Sequence, residues 1–367
     1  MNDLLAHSIR LILDNQAPSG AYPAAVDYAT YRDCWFRDGS YIAYSMSLAG
    51  HPESADRFHQ WAADAIIRRA HIIEKAVDHR RNGLPLETAD LLHTRYTLDR
   101  EDSITDWPNF QLDGLGTWLW ALNQHVLISD TPPTTSRAQA AELVSQYLTA
   151  LWDQPCYDCW EELPDQVHPH TLAAIHGGLA ADQTLFHRDH TNPLAAITHT
   201  LLNNAATNGY FTKSIGRNDV DTSLIGLVTP YNVVASDHPS FVKTLHKIET
   251  ELRHNGGGPH RYATDTFYGG GEWVVLAGWL GWHHATIGDQ TAAHQLQRWI
   301  EAQADDHGNL PEQVPHHLNA PDRHQDWVDQ WGPIAKPLLW SHANHIILSQ
   351  HLARDGPTRS LGPQSTS

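Results

Sequence analysis

The sequence predicts an all-α protein, an (α/α)6 barrel of six helical hairpins. Apolar residues recur at helical spacing along most of the chain, as Leu115, Trp118, Leu119 and Leu122 do. Strand-like alternation of apolar and polar residues is scarce. The connections between the helical segments alternate between short and long. Successive helices can therefore pair side by side, so that all long loops emerge at one end of the barrel.

Twelve segments carry the helical pattern. They cover residues 2–15, 39–49, 54–77, 113–129, 137–152, 170–185, 193–207, 220–228, 239–253, 272–286, 290–304 and 338–352. Asp113 and Ser136 stand where an N-cap is expected, and Gly288 lies at the stop between two of these helices.

The long connections are the second basis of the prediction. They fall near 16–38, 78–112, 153–169, 208–219, 254–271 and 305–337, and the short ones near 50–53, 130–136, 186–192, 229–238 and 287–289. Loops longer than about 12–15 residues are uncommon unless they are functional. We therefore expect a site at the rim that these loops form. An open helical solenoid is the alternative, but no internal repeat is visible. We expect one domain over 1–355 and a flexible C-terminal tail over 356–367.

The composition limits the partners. The 24 Lys and Arg residues stand against 42 Asp and Glu, which gives a formal net charge of −18. This balance opposes binding to nucleic acid or to an anionic membrane surface, and no apolar run is long enough to span a bilayer. Three cysteines are too few for a disulfide framework, and the N-terminal segment has a helical pattern and lacks the features of a signal peptide. We expect a cytoplasmic monomer.

The stretch Tyr157-Asp158-Cys159-Trp160-Glu161-Glu162 lies in the third long loop, between Pro155 and Pro164. Aromatic rings can stack on the face of a sugar, and an apolar wall can raise the pKa of a neighbouring carboxyl. The pattern is typical of a sugar-cleaving site. It is equally compatible with a solvated acidic turn beside a structural tryptophan.

Other long loops add groups that suit a polyol. Trp35, Arg37 and Asp38 offer a ring face and two side chains for neighbouring hydroxyls, and Asp38 could also cap the next helix. Trp107 could contact a sugar or plug the end of the barrel. Glu312 lies in the sixth loop, where it could be a first-turn helix residue or a second catalytic carboxylate.

The sequence gives little support for a metal or redox site. Cys156-x-x-Cys159 has suitable spacing, but neither a second cysteine pair nor a βαβ pattern accompanies it. The 27 histidines are scattered and form no HExxH motif. We expect neither a metal nor a cofactor.

Loops three and six would lie opposite one another in a ring of six hairpins, with one acid on each side of a pocket. In this arrangement the chain resembles glycoside hydrolase family 15, the glucoamylase-like family, through six motifs in the family's order. The motifs are Tyr31-x-x-x-Trp35-Phe36-Arg37-Asp38, Trp107-x-x-x-Gln111-x-Asp113-Gly114, Tyr157-Asp158-x-Trp160-Glu161-Glu162, Arg261 with the Gly-Gly-Gly-x-Trp of 269–273, Pro311-Glu312-Gln313, and Pro337-Leu338-Leu339-Trp340-Ser341-His342-Ala343. They cover residues 31 to 343.

The resemblance implies an (α/α)6 barrel and a role for each matching residue. Glu161 would be the general acid, Glu312 the general base, and Tyr31 would help to position the attacking water. The hydroxyls of the terminal glucose would be held by Arg37, Asp38, Glu162, Arg261 and Gln313. The subsite would be lined by Trp107, Trp160 and Trp340.

The family inverts the anomeric carbon, so the resemblance implies that β-glucose leaves. Other members carry an N-terminal β-sandwich or a starch-binding module, and we expect neither in this chain because the helical pattern runs from its first residues to shortly before its last. We therefore expect an exo-acting hydrolase of short α-1,6-linked glucosides, similar to the short isomaltose-hydrolysing members. A trehalase of the same family is one alternative, and a non-catalytic sugar-binding barrel is another.

Overall fold

The computed structural model describes residues 3–103, 107 and 109–353. The helices in these ranges are α1 (Asp3–Asn15), α2 (Phe36–Leu48), α3 (Pro52–Arg68), α4 (Ala70–Arg81), α5 (Asp113–Ser129), α6 (Thr135–Leu151), α7 (Pro169–Phe186), α8 (Thr191–Asn204), α9 (Pro239–Glu251), α10 (Val274–Thr286), α11 (Gln290–Glu301), α12 (His324–Trp331) and α13 (Leu339–Ala353). None of them combines the length and the apolar character that crossing a bilayer requires. The tail expected at 356–367 lies outside the described residues.

Five helices and one 3-10 segment form a closed inner ring. In ring order these are α2, α5, α7, the segment Thr222–Leu227, α10 and α13, and α13 packs back onto α2. The inner helices are buried on nearly every side, whereas the outer helix α11 buries only Ala293, Leu296 and Ile300. A helix that is apolar all round belongs in a core, and one with a single apolar face belongs on the outside. The predicted (α/α)6 barrel is confirmed.

The outer layer completes the hairpins. Helix α1 packs on α13, α3 on α2, α8 on α7 and α11 on α10, while α6 contacts both α3 and α7 and α9 packs on the segment Thr222–Leu227. Helix α4 extends this layer along α6. The chain therefore alternates between the outer and the inner layer, and each long connection leads into an inner element.

Three elements differ from the sequence prediction. The helix predicted over 54–77 is two helices, because Arg69 leaves helical geometry at φ −109° and ψ 19°. Its buried guanidinium donates to Asp102 Oδ1, to the Ala65 carbonyl and to the Arg100 carbonyl, at 2.8, 2.9 and 2.8 Å. The helix predicted over 220–228 is the short 3-10 segment. Helix α12 was not predicted.

Two of the predicted N-caps were also wrong. Asp113 is the first residue of α5, after the cap position of Leu112. Ser136 lies inside α6, which is capped by Thr134, whose side chain accepts from the Arg137 amide at 3.3 Å. Neighbouring polar residues compete for a cap, and the position at which the chain enters the helix decides between them.

Four two-residue strands tie the long loops together in pairs. Strand β1 (Cys34–Trp35) pairs antiparallel with β2 (Arg95–Tyr96), and β3 (Glu272–Trp273) pairs with β4 (Gln313–Val314). The first pair joins the loop before α2 to the loop before α5. The second joins the loop before α10 to the loop before α13. Loops linked by backbone hydrogen bonds can hold side chains in fixed positions.

Glycines allow the inner helices α5 and α7 to approach closely. A Cβ on Gly116 would lie 2.3 Å from the carbonyl oxygen of Ala174, and one on Gly178 would lie 2.5 Å from that of Gly116. No side chain can occupy this space without a shift of the backbone. The ring spacing at this position therefore depends on the two glycines.

We expect Gly116→Ala to lower the free energy of unfolding by about 1–3 kcal/mol, because the added methyl must push two backbones apart. Urea denaturation would measure the change. The exposed Gln146 on α6 gives a control, since Gln146→Ala should stay within about 0.5 kcal/mol of the parent. A Gly116→Ala protein as stable as the parent would show that the spacing is adjustable.

Candidate active site

A cavity of about 290 Å³ lies where the connections into the inner helices meet. This volume is at the lower end of the range of roughly 300–1,000 Å³ for ligand pockets. The cavity brings together eleven of the twelve residues that the sequence singled out. They are Tyr31, Trp35, Arg37, Asp38, Trp107, Trp160, Glu161, Glu162, Arg261, Glu312 and Trp340.

Half of the 14 tryptophans line this cavity. They are Trp35, Trp107, Trp160, Trp273, Trp327, Trp331 and Trp340. Trp327 and Trp331 were missed because they lie on the unpredicted helix α12, although their spacing of four residues is a helical signal. Trp331 is 40% exposed, and its ring centroid lies 6.3 Å from that of Trp107. The cavity wall is therefore largely aromatic.

Glu161 is held by two indole N–H groups. Nε1 of Trp35 donates to Oε1 and Nε1 of Trp107 donates to Oε2, both at 2.5 Å. Burial raises the pKa of the Glu161 carboxyl, and the nearby Arg37 guanidinium and the two indole donors oppose that rise. Trp107 lines the cavity and orients the Glu161 carboxyl. This differs from the alternative in which Trp107 only fills the end of the barrel.

The turn that carries Glu161 is folded around the carboxylate of Asp158. Asp158 Oδ1 accepts from the backbone amides of Trp160 and Glu162, each at 2.9 Å. The Glu161 amide donates to the Asp158 carbonyl, also at 2.9 Å. Glu161 and Leu163 adopt the left-handed backbone region at φ 68° and 51°. This conformation costs about 1–2 kcal/mol per residue for a non-glycine, so the hydrogen bonds of the turn must outweigh it.

Glu162 points into a different environment from its neighbour. Tyr262 Oη donates to Oε2 at 2.6 Å and Arg261 Nη2 donates to Oε1 at 3.1 Å. The Arg261 guanidinium also bonds to both oxygens of the buried Asp265, at 2.7 and 2.5 Å. The two adjacent glutamates thus have separate partners: indole donors for Glu161, and a cation and a phenol for Glu162.

Arg37 and Asp38 lie in the first turn of α2. Arg37 Nη1 donates to Gln111 Oε1 at 2.8 Å, and the guanidinium lies 3.3 Å from Asp38 and 3.5 Å from Asp113. Burial raises the pKa of Asp38 to about 6, against the opposing effect of Arg37. Asp38 is the third residue of α2, and the N-cap position is occupied by Trp35. The helix-capping role for Asp38 is therefore wrong.

Glu312 faces the same cavity from the sixth loop, immediately before β4. Its amide donates to the Ala335 carbonyl at 3.0 Å, and its carbonyl accepts from the Val274 amide at 3.2 Å. Burial raises the pKa of its carboxyl to about 8; Arg261 and a hydrogen bond from Tyr31 oppose the rise. Among the described residues, Oε2 has no hydrogen-bond partner.

Gln313 is the one predicted sugar-binding residue that does not line the cavity. Its Oε1 accepts from the Gly271 amide at 3.0 Å and its Nε2 donates to the Phe267 carbonyl at 3.3 Å. The side chain is 1% exposed. Neighbouring side chains of a strand point to opposite faces, so Gln313 points away from the cavity that Glu312 faces. There its amide group holds the backbone behind the cavity wall. Contact of Gln313 with a sugar hydroxyl stays a prediction.

The cysteines and histidines do not form a metal centre in the part of the chain that the structure describes. No group of three or more His, Cys, Asp or Glu side chains there is arranged to hold a metal ion. Cys34, Cys156 and Cys159 are free thiols in the core. Cys159 also lines the cavity, where burial raises the pKa of its thiol well above the usual value.

The sequence is similar to known carbohydrate-cleaving proteins. The model of Glycosyl hydrolases family 15 matches residues 1–310. An isomaltose glucohydrolase from Kribbella flavida is 39% identical over 360 residues, which cover 96% of this chain and 93% of that protein. An uncharacterized glycosyl hydrolase from Methanocaldococcus jannaschii is 27% identical over 345 residues, covering 86% of this chain and 50% of the relative.

Solved structures agree with this grouping. A wild-type glycosidase superposes with a TM-score of 0.91 at 38% identity, covering 95% of this chain and 96% of its own. A glutamate-to-alanine variant of such a glycosidase, in complex with glucose, gives a TM-score of 0.91 at 37% identity over the same shares of the two chains. A bacterial glucoamylase bound to acarbose shares the fold at a TM-score of 0.71 and 19% identity, over 95% of this chain and 55% of its own. From the family match, the close relative and the fold, the chain belongs to glycosyl hydrolases family 15 and is a glycoside hydrolase.

Proposed function

We propose that this enzyme removes the terminal glucose of short α-1,6-linked glucosides such as isomaltose, with inversion at the anomeric carbon. The observation that carries the proposal is a pair of carboxyls in one tryptophan-lined cavity, the half-buried Glu161 and the buried Glu312. Glycoside hydrolysis requires one carboxyl that donates a proton and a second one that activates water or attacks the sugar. The proposal goes beyond the family assignment in its substrate, its stereochemistry and its residue roles.

Glu161 is the general acid in this mechanism. It gives a proton to the glycosidic oxygen as the bond to the anomeric carbon breaks. Its burial favours the protonated form, which an acid must hold before the reaction. The indole N–H groups of Trp35 and Trp107 contact its two oxygens and fix the plane of the carboxyl.

Glu312 is the general base. It takes a proton from the water whose oxygen bonds to the anomeric carbon from the opposite face, and β-glucose leaves. A base must be ionised to act, and burial opposes ionisation. The hydrogen bond from Tyr31 and the charge of Arg261 favour the ionised form. These two residues therefore help Glu312 to become the carboxylate that can accept a proton.

The remaining polar groups hold the sugar. Arg37, Asp38, Glu162 and Arg261 bring charged donors and acceptors to the wall of the cavity. Ionised groups make the stronger hydrogen bonds, and a hydroxyl can both donate and accept. The rings of Trp160 and Trp340 supply flat faces beside them. This combination suits a neutral polyol.

The choice of a short substrate rests on two points. The cavity of about 290 Å³ is small for a ligand site, and the 39% identical relative from Kribbella flavida is an isomaltose glucohydrolase. A cavity of this size accommodates a terminal sugar and little more, which supports exo action. The α-1,6 linkage is taken from the relative.

Glu161→Gln and Glu312→Gln should each reduce kcat on isomaltose by about 10²–10⁴-fold, the usual contribution of a positioned acid or base. Both variants keep the shape of the side chain, so circular dichroism should show an unchanged helix content. Glu74→Gln, at an exposed position on α4, is the matched control and should retain full activity. Near-parental kcat in either site variant would remove that residue from the mechanism.

A substrate panel tests the linkage and the stereochemistry together. We expect kcat/KM for isomaltose to exceed that for maltose, kojibiose, nigerose and trehalose, and proton NMR of the early product to show β-glucose before mutarotation. A preference for trehalose would indicate a trehalase. Early α-glucose would rule out inversion, and no turnover of any member would rule out these disaccharides as substrates.

The raised pKa of Glu312 has a consequence for stability. The folded state binds this proton more tightly than the unfolded chain, so the carboxyl contributes stability at low pH that is lost as pH rises from about 4.5 through about 8. Glu312→Gln carries no such group. Between pH 4.5 and about pH 8, the free energy of unfolding of the variant should rise relative to that of the parent by several kcal/mol, at 1.36 kcal/mol per pKa unit.

Thermal melts of both proteins between pH 5 and pH 9 would measure this gain. The difference in Tm should grow with pH and level off above about pH 8. Glu74→Gln, which removes an exposed carboxyl, should show no comparable trend. A difference in Tm that stays constant between pH 5 and pH 9 would contradict the burial of Glu312 as an ionisable group.

A further inference from the structure

A buried lysine stands behind the turn that carries Glu161. Lys213 lies in the fourth long loop, to which the sequence assigned no chemistry, and it is 4% exposed. Its Nζ donates to Asp158 Oδ2 at 2.7 Å and to Asp221 Oδ2 at 3.0 Å. The same atom lies 3.6 Å from Glu162 Oε2 and 4.0 Å from the centre of the Tyr262 ring.

The first carboxylate on this ammonium is the one that folds the turn. Asp158 uses Oδ1 for the backbone amides of Trp160 and Glu162, and Oδ2 for Lys213. These amides flank Glu161 on both sides. Lys213 therefore fixes the carboxylate on which the position of the Glu161 backbone depends.

The second carboxylate fixes the tryptophan beside the acid. Asp221 Oδ2 accepts from Trp160 Nε1 at 2.9 Å and from Lys213, while Oδ1 accepts from the Ser223 amide at 2.8 Å. Asp221 thus caps the 3-10 segment of the inner ring. Through Asp221 the ammonium links the turn to the barrel wall.

The cluster depends on the charge of the lysine. Burial acts against the charged form, but Asp221 and Asp158 outweigh it and raise the pKa of Lys213 well above its usual value. Removal of one partner from a buried ion pair leaves a charge without compensation, which is strongly destabilising. Without the ammonium, Asp158 and Asp221 would have to draw water or move apart, and the turn between them would shift.

We propose that Lys213 is a positioning residue for the general acid: its ammonium, bridging Asp158 and Asp221, holds the turn so that Glu161 meets the glycosidic oxygen. The inference rests on the proposed function, in which Glu161 is the acid. A lysine that only stabilised the fold would affect every substrate of the enzyme in the same way. A positioning residue affects the substrates that need the acid.

The leaving group separates these two roles. Isomaltose leaves as an alcohol and needs a proton on its oxygen. In α-glucosyl fluoride the carbon–fluorine bond breaks and fluoride departs with the electron pair, without a proton from the enzyme. Water bonds to the anomeric carbon in both reactions, and its proton passes to Glu312. Only the first reaction therefore depends on the position of Glu161.

The test compares kcat on both substrates for the parent and Lys213→Met. We expect kcat on isomaltose to fall at least tenfold further than kcat on α-glucosyl fluoride. Asp158→Asn is the second variant: it keeps an oxygen for the two backbone amides, removes the ion pair and should show the same split. Arg137→Met is the matched control, because Arg137 is equally buried and ion-paired, with Asp56, but lies on α6 outside the cavity. It should change both rates alike.

Equal losses of kcat on the two substrates in both variants would overturn the inference. The proposed hydrolase function would be unaffected by that result. Failure of both variants to fold would also count against it, because the ammonium would then be required by the fold and not by the acid. Failure of the proposed function looks different: the unmutated enzyme itself would turn over neither isomaltose nor α-glucosyl fluoride.

Discussion

The structure around the cavity depends on how its buried charges are balanced. Three buried cations each bridge at least two carboxylates: Arg37 lies between Asp38 and Asp113, Lys213 between Asp158 and Asp221, and Arg261 between Asp265 and Glu162. Among the described residues, Glu161 and Glu312 form no ion pair of their own. Burial therefore raises the pKa of these two carboxyls and brings them towards the range in which protons are exchanged near neutral pH.

The barrel makes this balance possible because it fixes the loops that carry the charges. The connections converge at the ends of the inner elements, and two short strand pairs fasten one loop to the next. The side chain of Gln313 serves the same purpose through the backbone of Gly271. Ion pairs need stable geometry to offset the cost of burying a charge, and loops tied by backbone hydrogen bonds provide it.

Much of the fold and the cavity wall could be predicted from the sequence, and the misses have physical causes. The helical periodicity gave the fold class, and the Trp160-Glu161-Glu162 stretch pointed to the cavity. Helix α12 was missed because a short helix in a long loop has few positions at which to show a period. The break at Arg69 was missed because it depends on hydrogen bonds to residues more than 30 positions away. Lys213 carried no signal for the site, since Asp158, the partner that joins it to the Glu161 turn, lies in another loop.

The sequence by itself determined the all-α barrel, the connections that carry the chemistry and the residue types of the site, since these depend on local spacing and composition. The tertiary structure decided the assignment of each side chain. Gln313 lies behind the cavity wall, and Lys213 lies beneath the turn that carries Glu161. Glu161 accepts from two indole groups, whereas Glu162 contacts a cation. Adjacent residues with the same chemistry acquire different roles only through their neighbours in space. Those neighbours are set when distant loops pack together.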